Sequence, residues 1–473
     1  MSTTAPDLLI ELDRSRPRGL RAQIEGGLRD AISTGRLGPG TSLPSTRALA
    51  ADLGVTRGVV VAAYDQLLAE GYLLARQGAG TVVNSAPVGT DRAVAPATRQ
   101  APAVIDFRPS IPELSTFPRT AWLRATRAAL NALPDRYFGY SNPRGLTQLR
   151  RAVAEYLGRV RGVVADADQV VICNGFAHGL SLVARHLLDS GHSTFAVEDP
   201  GHGGQRDELA FLGASDDPIP VDGDGIVIDK LRRSPARAVL VTPAHQFPTG
   251  AVLSPPRRRA LIAWARDVDG YVIEDDYDAE FRYDKHPVGA MQGLAPDRVI
   301  YCGTLSKSLA PGLRLGWLVL PSPLVAPIAA NRMLIDHATS TPVQATFAEF
   351  LGNGDLDRYL RRMRRVYRQR RDVLVAALDR WMPDATLSGI AAGLHVLVTL
   401  PRGTDDATLV EQAADRGVRI YPLGHYCVAK STDAAPAILL GYGSLTPPAI
   451  EEGVRVLAEI VASAAVHRDY RSN

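Results

Sequence analysis

Lysine is scarce in this chain: only four of its 53 basic residues are lysines, and the rest are arginines. The bias reads as genome composition, but it makes any lysine in a recognisable setting conspicuous. Cysteine is scarcer still. Cys173, Cys302 and Cys427 lie far apart beside apolar residues, without the paired spacing of a metal site. That excludes a disulfide scaffold and points to reduced thiols in a cytosolic protein. No stretch approaches the roughly eighteen apolar residues of a membrane span. Residues 1–13 carry acids where an export signal has a basic start and an apolar run. Neither export nor membrane insertion is therefore expected. The net charge is only +3, too small to draw in nucleic acid by bulk attraction, so any DNA contact must come from a local surface. No internal repeat is present.

What is there is ordinary globular sequence in unequal pieces. With 473 residues, 46% of them hydrophobic and 22% charged, the chain has room for two or three domains and is not disordered at large. The expected division is 15–84, 85–104, 105–320 and 321–473. The second piece is rich in Ala, Pro and Thr without apolar periodicity and reads as an extended linker. From about Ile105, short apolar strands alternate with helices: Val170–Cys173, Phe195–Glu198, Ala238–Thr242, Tyr271–Asp275, Val299–Cys302 and Leu315–Leu320. This is the pattern of a mostly parallel sheet covered on both faces. Beyond Pro321 the texture is α+β, with a long arginine-rich helix around Leu356–Leu378 that reads as a solvated face.

The first piece reads as a helix-turn-helix. A helix is expected over Leu20–Ser33 and a turn at Gly38-Pro39-Gly40. A second helix follows, capped by Ser45, burying Ala48, Leu49 and Leu53 and stopping at Gly54. Thr56 can cap a third, whose Val60, Ala63, Tyr64, Leu67 and Leu68 follow the spacing of one buried stripe. Its leading residues Thr56, Arg57 and Gly58 would face the major groove. Tyr72–Ala75 and Gly80–Val83, joined through Arg76-Gln77-Gly78-Ala79, read as a β-hairpin wing.

The conspicuous lysine is Lys307, in Gly303-Thr304-Leu305-Ser306-Lys307, with Arg314 seven residues on and the acid run Glu274-Asp275-Asp276-Tyr277-Asp278 upstream. Pyridoxal 5'-phosphate (PLP) needs a Schiff-base amine, a pyridinium partner, a hydrogen bond to O3', a phosphate cradle and ring packing. Lys307 can supply the amine if desolvation and the adjacent Arg314 keep it neutral. Asp275, at a strand end, can face the pyridine nitrogen, and Tyr277 can reach O3'. Thr304, Ser306 and Arg314 can bind phosphate, as can the backbone of Gly175, Phe176 and Ala177, at a turn between a strand and a helix. The acids could instead form a metal site, but no His or Cys accompanies them locally, and none is expected.

Two resemblances follow from these phrases. Residues 18–83 resemble the GntR family of winged-helix regulators through Gly35-Arg36-Leu37, Leu43-Pro44-Ser45-Thr46-Arg47 and Ala69-Glu70-Gly71-Tyr72-Leu73. The likeness implies DNA contacts by Ser45, Thr46, Arg47, Thr56, Arg57, Arg76 and Gly78, with Ser45 and Arg47 on phosphates and Arg57 at a base edge. Residues from about 105 to 465 resemble the fold-type-I aminotransferases through Tyr140-Ser141-Asn142-Pro143-Arg144-Gly145, Thr242-Pro243-Ala244-His245-Gln246-Phe247-Pro248-Thr249-Gly250 and the lysine and acid motifs. The joined arrangement resembles the MocR-type (GabR-like) regulators. It implies an α/β chain: a winged helix-turn-helix and a linker, then a PLP-dependent fold-type-I aminotransferase-like domain with a large, mostly parallel sheet and a small α+β domain. It further implies a homodimer in which Tyr140 reaches the partner's cofactor phosphate.

Three departures qualify the likeness. His202 stands where an aromatic residue stacks on the PLP ring. Phe247 replaces the asparagine that bonds O3', a role left to His245 or Gln246, or lost. No arginine lies near Gly441-Tyr442-Gly443-Ser444, where aminotransferases clamp a substrate carboxylate. Without that clamp, little or no turnover is expected. The reading is a cytoplasmic, PLP-dependent regulator, dimeric on paired half-sites of double-stranded DNA. It would sense PLP or an amine or amino-acid ligand and control vitamin B6 or amino-acid metabolism genes. The alternative is an active aminotransferase with an accessory DNA-binding domain.

Overall fold

The structure is a computed structural model that describes residues 10, 12–14, 19–76, 80–84, 105–278, 280–283, 288–389, 391–428 and 435–472. The expected linker and Gly78 of the wing tip lie outside the described residues. The chain divides into two compact units, Met1–Gln100 and Ala101–Asn473.

In the first unit the helices are Leu20–Ser33, Thr46–Asp52 and Arg57–Ala69. Ser45 begins the second, its side-chain oxygen accepting from the Ala48 amide at 3.2 Å, a cap that contributes about 1 kcal/mol. Thr56 stands at the cap position of the third helix without a side-chain cap bond. Val60, Ala63, Tyr64 and Leu67 are buried as their spacing requires, against Ile24 and Leu28 of the first helix. The second helix differs from expectation. Ala48 is exposed, and Leu49 and Ala50 are buried, because the cap at Ser45 sets the helix phase so that positions 49, 50 and 53 face inward. Leu73–Arg76 and Gly80–Val83 pair antiparallel as the wing.

The second unit is built on an eight-stranded sheet. Its order across the sheet is Val170–Cys173, Gly316–Val319, Val299–Thr304, Tyr271–Asp276, Ala238–Val241, Thr194–Asp199, Ser215–Asp222 and Gly225–Ile226. The run from 299–304 to 215–222 is parallel, and the 316–319 strand is antiparallel to both neighbours. The central strands are buried on both faces because helices cover each side, which is why their sequences are unbroken apolar runs. The Ser215–Asp222 strand escaped the sequence reading: Ser-Asp-Asp-Pro-Ile-Pro-Val-Asp is an acidic, proline-bearing sequence near the sheet edge, with little apolar signal.

This topology positions the site. Cys302 pairs with Asp275, and both Thr304 and Cys173 pair with Gly316. The carboxyl ends of the parallel strands and the start of the antiparallel one therefore share one edge, where open α/β sheets form their ligand crevice. Facing it is a smaller four-stranded antiparallel sheet ordered Thr386–Ser388, His395–Thr399, Ala437–Gly441 and Tyr421–Pro422. Ile105–Asp106 pairs with Val418–Arg419, which draws the start of this unit to the small sheet. The arginine-rich helix spans Asp355–Trp381. Arg361, Arg365 and Arg368 are exposed, while buried Arg370 reaches inward to Glu113 and the Gly443 carbonyl. Among the described residues no helix is long and apolar enough to cross a membrane.

Candidate functional site

A cavity of about 620 Å³ opens at the shared edge, within the range of roughly 300–1,000 Å³ of small-molecule sites. Lys307 lines it together with Asp275, Tyr277, Thr304, Ser306 and Arg314. Burial depresses the Lys307 ammonium against the opposing pull of Asp275 and Asp278, which favours a neutral amine. Asp275 is buried. One carboxylate oxygen accepts from Gln205 Nε2 at 2.8 Å, and the other is buried without a hydrogen-bond partner. Burial, reinforced by Asp276 and Asp278, pushes its carboxyl well above the ordinary range. A buried orphan acceptor beside a desolvated lysine needs a protonated nitrogen opposite it. The pyridinium of PLP is such a group, so the residues present fit the cofactor.

Thr304, Ser306 and Arg314 also meet a helix start in this cavity. Thr304 Oγ1 meets Ser306 Oγ at 3.0 Å and accepts from the Ser306 amide at 3.1 Å. Gly175 precedes the helix Phe176–Asp189 at φ +88°, and a Cβ there would lie 3.2 Å from Arg314 Nη1. Only glycine gives that φ without strain and lets the guanidinium lie against the helix start, where the amides of Phe176 and Ala177 are free. Both residues line the cavity.

The remaining acids face elsewhere. Glu274 accepts from the Met291 and Gln292 amides. Asp276 takes a two-point bond from Arg161, at 2.8 and 2.9 Å, and a third from Tyr301. Asp278 meets His245 Nδ1 at 2.9 Å. Among the described residues no cluster of ligating side chains suits a metal ion.

Five further residues singled out in the sequence stand apart from the Lys307, Asp275 and Arg314 group. His202 lines the cavity, with its ring 5.5 Å from that of Phe247. Phe247 is the hub of an aromatic wall, within 6.2 Å of the rings of Tyr277, His395 and Tyr426. Gln246 turns its amide into its own loop, donating to the Pro200 and Phe247 carbonyls and accepting from Thr249, and does not line the cavity. His245 sits behind Tyr277, its Nδ1 3.2 Å from the phenol oxygen. It contacts Tyr277 and does not line the cavity. Tyr140 is 91% exposed and outside the cavity, beside His337.

Residues that the sequence reading missed complete the lining: Arg108, Gln205, Arg206, Tyr421 and Tyr426. Arg108 Nε donates to the Tyr421 hydroxyl at 2.9 Å across 313 residues of sequence. No local spacing could have joined them.

In the first unit, Ser45, Arg47, Thr56, Arg57 and Arg76 are exposed and Thr46 is half-buried. Arg57 Nε lies 3.4 Å from Thr46 Oγ1, which brings the starts of the second and third helices together. The Ser45 hydroxyl is engaged as a cap.

Comparison with known proteins agrees with both halves. Residues 20–83 match the family of bacterial regulatory proteins, gntR family. Residues 110–437 match aminotransferase class I and II. The chain is 34% identical over 471 residues to the probable rhizopine catabolism regulatory protein MocR of Rhizobium meliloti, covering 95% of each chain. It is 35% identical over 460 residues to the pyridoxine biosynthesis transcriptional regulator PdxR of Corynebacterium glutamicum, covering 96% of this chain and 98% of that one. Among solved structures, the multiple substrate aminotransferase of Thermococcus profundus superposes with a TM-score of 0.70 at 27% identity, over 78% of this chain and 93% of that one. The chain therefore belongs to the MocR-type transcriptional regulators, DNA-binding proteins of the gntR family that carry a PLP-binding aminotransferase domain.

Proposed function

We propose that this regulator is a cytoplasmic homodimer that grips paired DNA half-sites and uses its aminotransferase-like unit to sense PLP or an amine ligand, with little or no turnover. The observation that carries the reading is the orphan Asp275 oxygen beside the desolvated Lys307 in a chain that also bears a winged helix. When bound, PLP supplies an aldehyde that captures a primary amine reversibly. Lys307 would offer the neutral amine, and Asp275 would accept a hydrogen bond from the protonated pyridine nitrogen. Tyr277, whose phenol oxygen shares His245 Nδ1 with the Asp278 carboxylate, would present its hydroxyl to O3'. Arg314, Thr304, Ser306 and the start of the Phe176–Asp189 helix hold the phosphate, and His202 and Phe247 close the ring face.

Dimerisation is supported by apolar side chains left on the surface near Tyr140: Phe138, Leu334 and Ile335 are all exposed. A second copy would cover them and bring Tyr140 to the partner's phosphate. On the DNA-binding unit, Arg47, Ser45 and Thr46 would position the backbone. Arg57 and Thr56 would enter the major groove, and Arg76 would serve the wing with Gly78. The pyridoxine-biosynthesis name of one relative favours vitamin B6 genes as the target.

A difference in ligand contact between two conformations must drive the response. A footprint on the region upstream of the chain's own gene tests the dimer, with two protected half-sites expected. Steady-state transamination with common amino donors tests the sensor: sustained multiple turnover would instead make the protein an aminotransferase with an accessory DNA-binding domain.

A further inference from the structure

The strand Ala437–Gly441, leading into Tyr442-Gly443-Ser444, carries no arginine. At its centre stands fully buried Leu439, whose cross-strand partner is Tyr421. Tyr421 does, however, bring an arginine to the cavity from the other end of the unit. Its hydroxyl accepts from Arg108 Nε at 2.9 Å and donates to Asp106 at 3.0 Å, so both phenol and guanidinium are oriented. Among the described residues the terminal nitrogens of Arg108 meet only a long ion pair, 3.6 Å from Asp106, and the side chain stays 54% exposed at the cavity wall. A second guanidinium comes from Arg206, on the helix Gly203–Phe211. One of its terminal nitrogens is buried with no hydrogen-bond partner. A buried unpaired donor is costly unless a ligand completes it.

We propose that Arg108, oriented by Tyr421 and assisted by Arg206, is an anion-recognition element of the effector pocket. The effector is then a small primary amine bearing an oxyanion, a carboxylate or a sulfonate. This rests on the PLP-sensing reading above. Its amine end addresses the Lys307 side of the cavity, while its acid end takes the planar fork of Arg108 and the free donor of Arg206. The subsite replaces the missing clamp from a different strand. It gives the pocket acid recognition without restoring an arginine to the strand that positions substrates in aminotransferases.

The test uses full-length, PLP-loaded protein titrated with β-alanine, taurine and n-propylamine, followed by absorbance of the bound cofactor and by calorimetry. Charge-assisted pairing corresponds to roughly 10- to 100-fold in affinity. At least one acid-bearing amine should therefore bind tenfold or more tighter than n-propylamine. Arg108→Gln should erase that preference with the cofactor band intact. Arg108→Lys, which keeps the charge but loses the fork, should restore part of it, and Arg206→Gln should weaken it. Taurine against β-alanine tells sulfonate from carboxylate. Equal binding of the three amines, binding of none, or a preference that survives Arg108→Gln overturns the proposal. A wild-type chain that shows no cofactor band before any amine is added refutes the PLP reading instead.

Discussion

Asp275→Asn should move stability and cofactor affinity in opposite directions. One Asp275 oxygen is buried without a partner among the described residues, with Asp276 and Asp278 close by. An unsatisfied buried group of this kind costs about 1–3 kcal/mol. Asparagine keeps the shape and can still accept from Gln205, but its Nδ2 then takes the unpartnered position at the same kind of cost, so the cofactor-free variant gains only by removing a carboxyl that burial keeps from ionising. The gain depends on pH. Because the folded-state carboxyl titrates above its ordinary value, its stabilising contribution is present below about pH 4 and is lost as pH rises through the folded-state value. The Tm difference between variant and wild type should therefore grow with rising pH. Glu198 and Glu274, each pushed up to about 7 chiefly by burial, impose a slope of the same sign between the ordinary carboxylate range and neutrality. That slope is common to both proteins and cancels in the difference. With PLP the sign reverses: losing the carboxylate partner of a buried pyridinium costs about 3–5 kcal/mol, roughly 10²- to 10³-fold in Kd. Thermal scans across pH without PLP, paired with absorbance titrations of PLP, read both effects. An Asn variant less stable when empty and unchanged in PLP affinity would refute the placement of Asp275 opposite the pyridine.

Gly175→Ala should weaken PLP binding about tenfold in the same titration, because it strains a φ of +88° and pushes on Arg314. Unaltered binding would remove Gly175 from the phosphate cradle. Arg57→Ala should relax base preference at one position by about 1–3 kcal/mol, whereas Arg47→Ala should weaken all sequences alike and reduce the salt slope by about 1. Anisotropy titrations on operator variants at several salt concentrations separate the two. Leu334→Asp, at a side chain 87% exposed, should turn a dimer into a monomer in sedimentation and lower operator affinity. A variant that stays dimeric would place the subunit interface elsewhere.

What could be read from the sequence follows the range of the interactions. The Leu20–Ser33 helix and the Val170–Cys173 strand have the expected ends because local periodicity and turn residues mark them. Thr304, Ser306, Lys307 and Arg314 are close neighbours at and just beyond the end of the 299–304 strand, and Asp275 and Tyr277 at the end of the 271–276 strand, so motif spacing reveals them. The division of labour within the acid run is not local. Asp276 faces Arg161 and Asp278 faces His245 because the strand end twists these side chains toward different neighbours. Arg108 and Tyr421 meet because Ile105–Asp106 joins Val418–Arg419 in a two-stranded sheet of their own, just before Tyr421 enters the small sheet. Spacing along the chain carries no trace of that pairing. Without it, the absence of an arginine near Gly441 suggested a pocket lacking any acid-binding group. The folded cavity has two guanidiniums on its wall, Arg108 and Arg206, besides Arg314.

The central claim is that PLP held at Lys307 is read out as DNA binding. Fluorescence anisotropy on the chain's own upstream region, titrated with and without PLP in wild type and Lys307→Ala, tests it most directly. The account predicts a PLP-dependent shift in wild-type affinity that Lys307→Ala abolishes while still binding the DNA. Identical curves with and without PLP in the wild type, or an equal shift in Lys307→Ala, would contradict it.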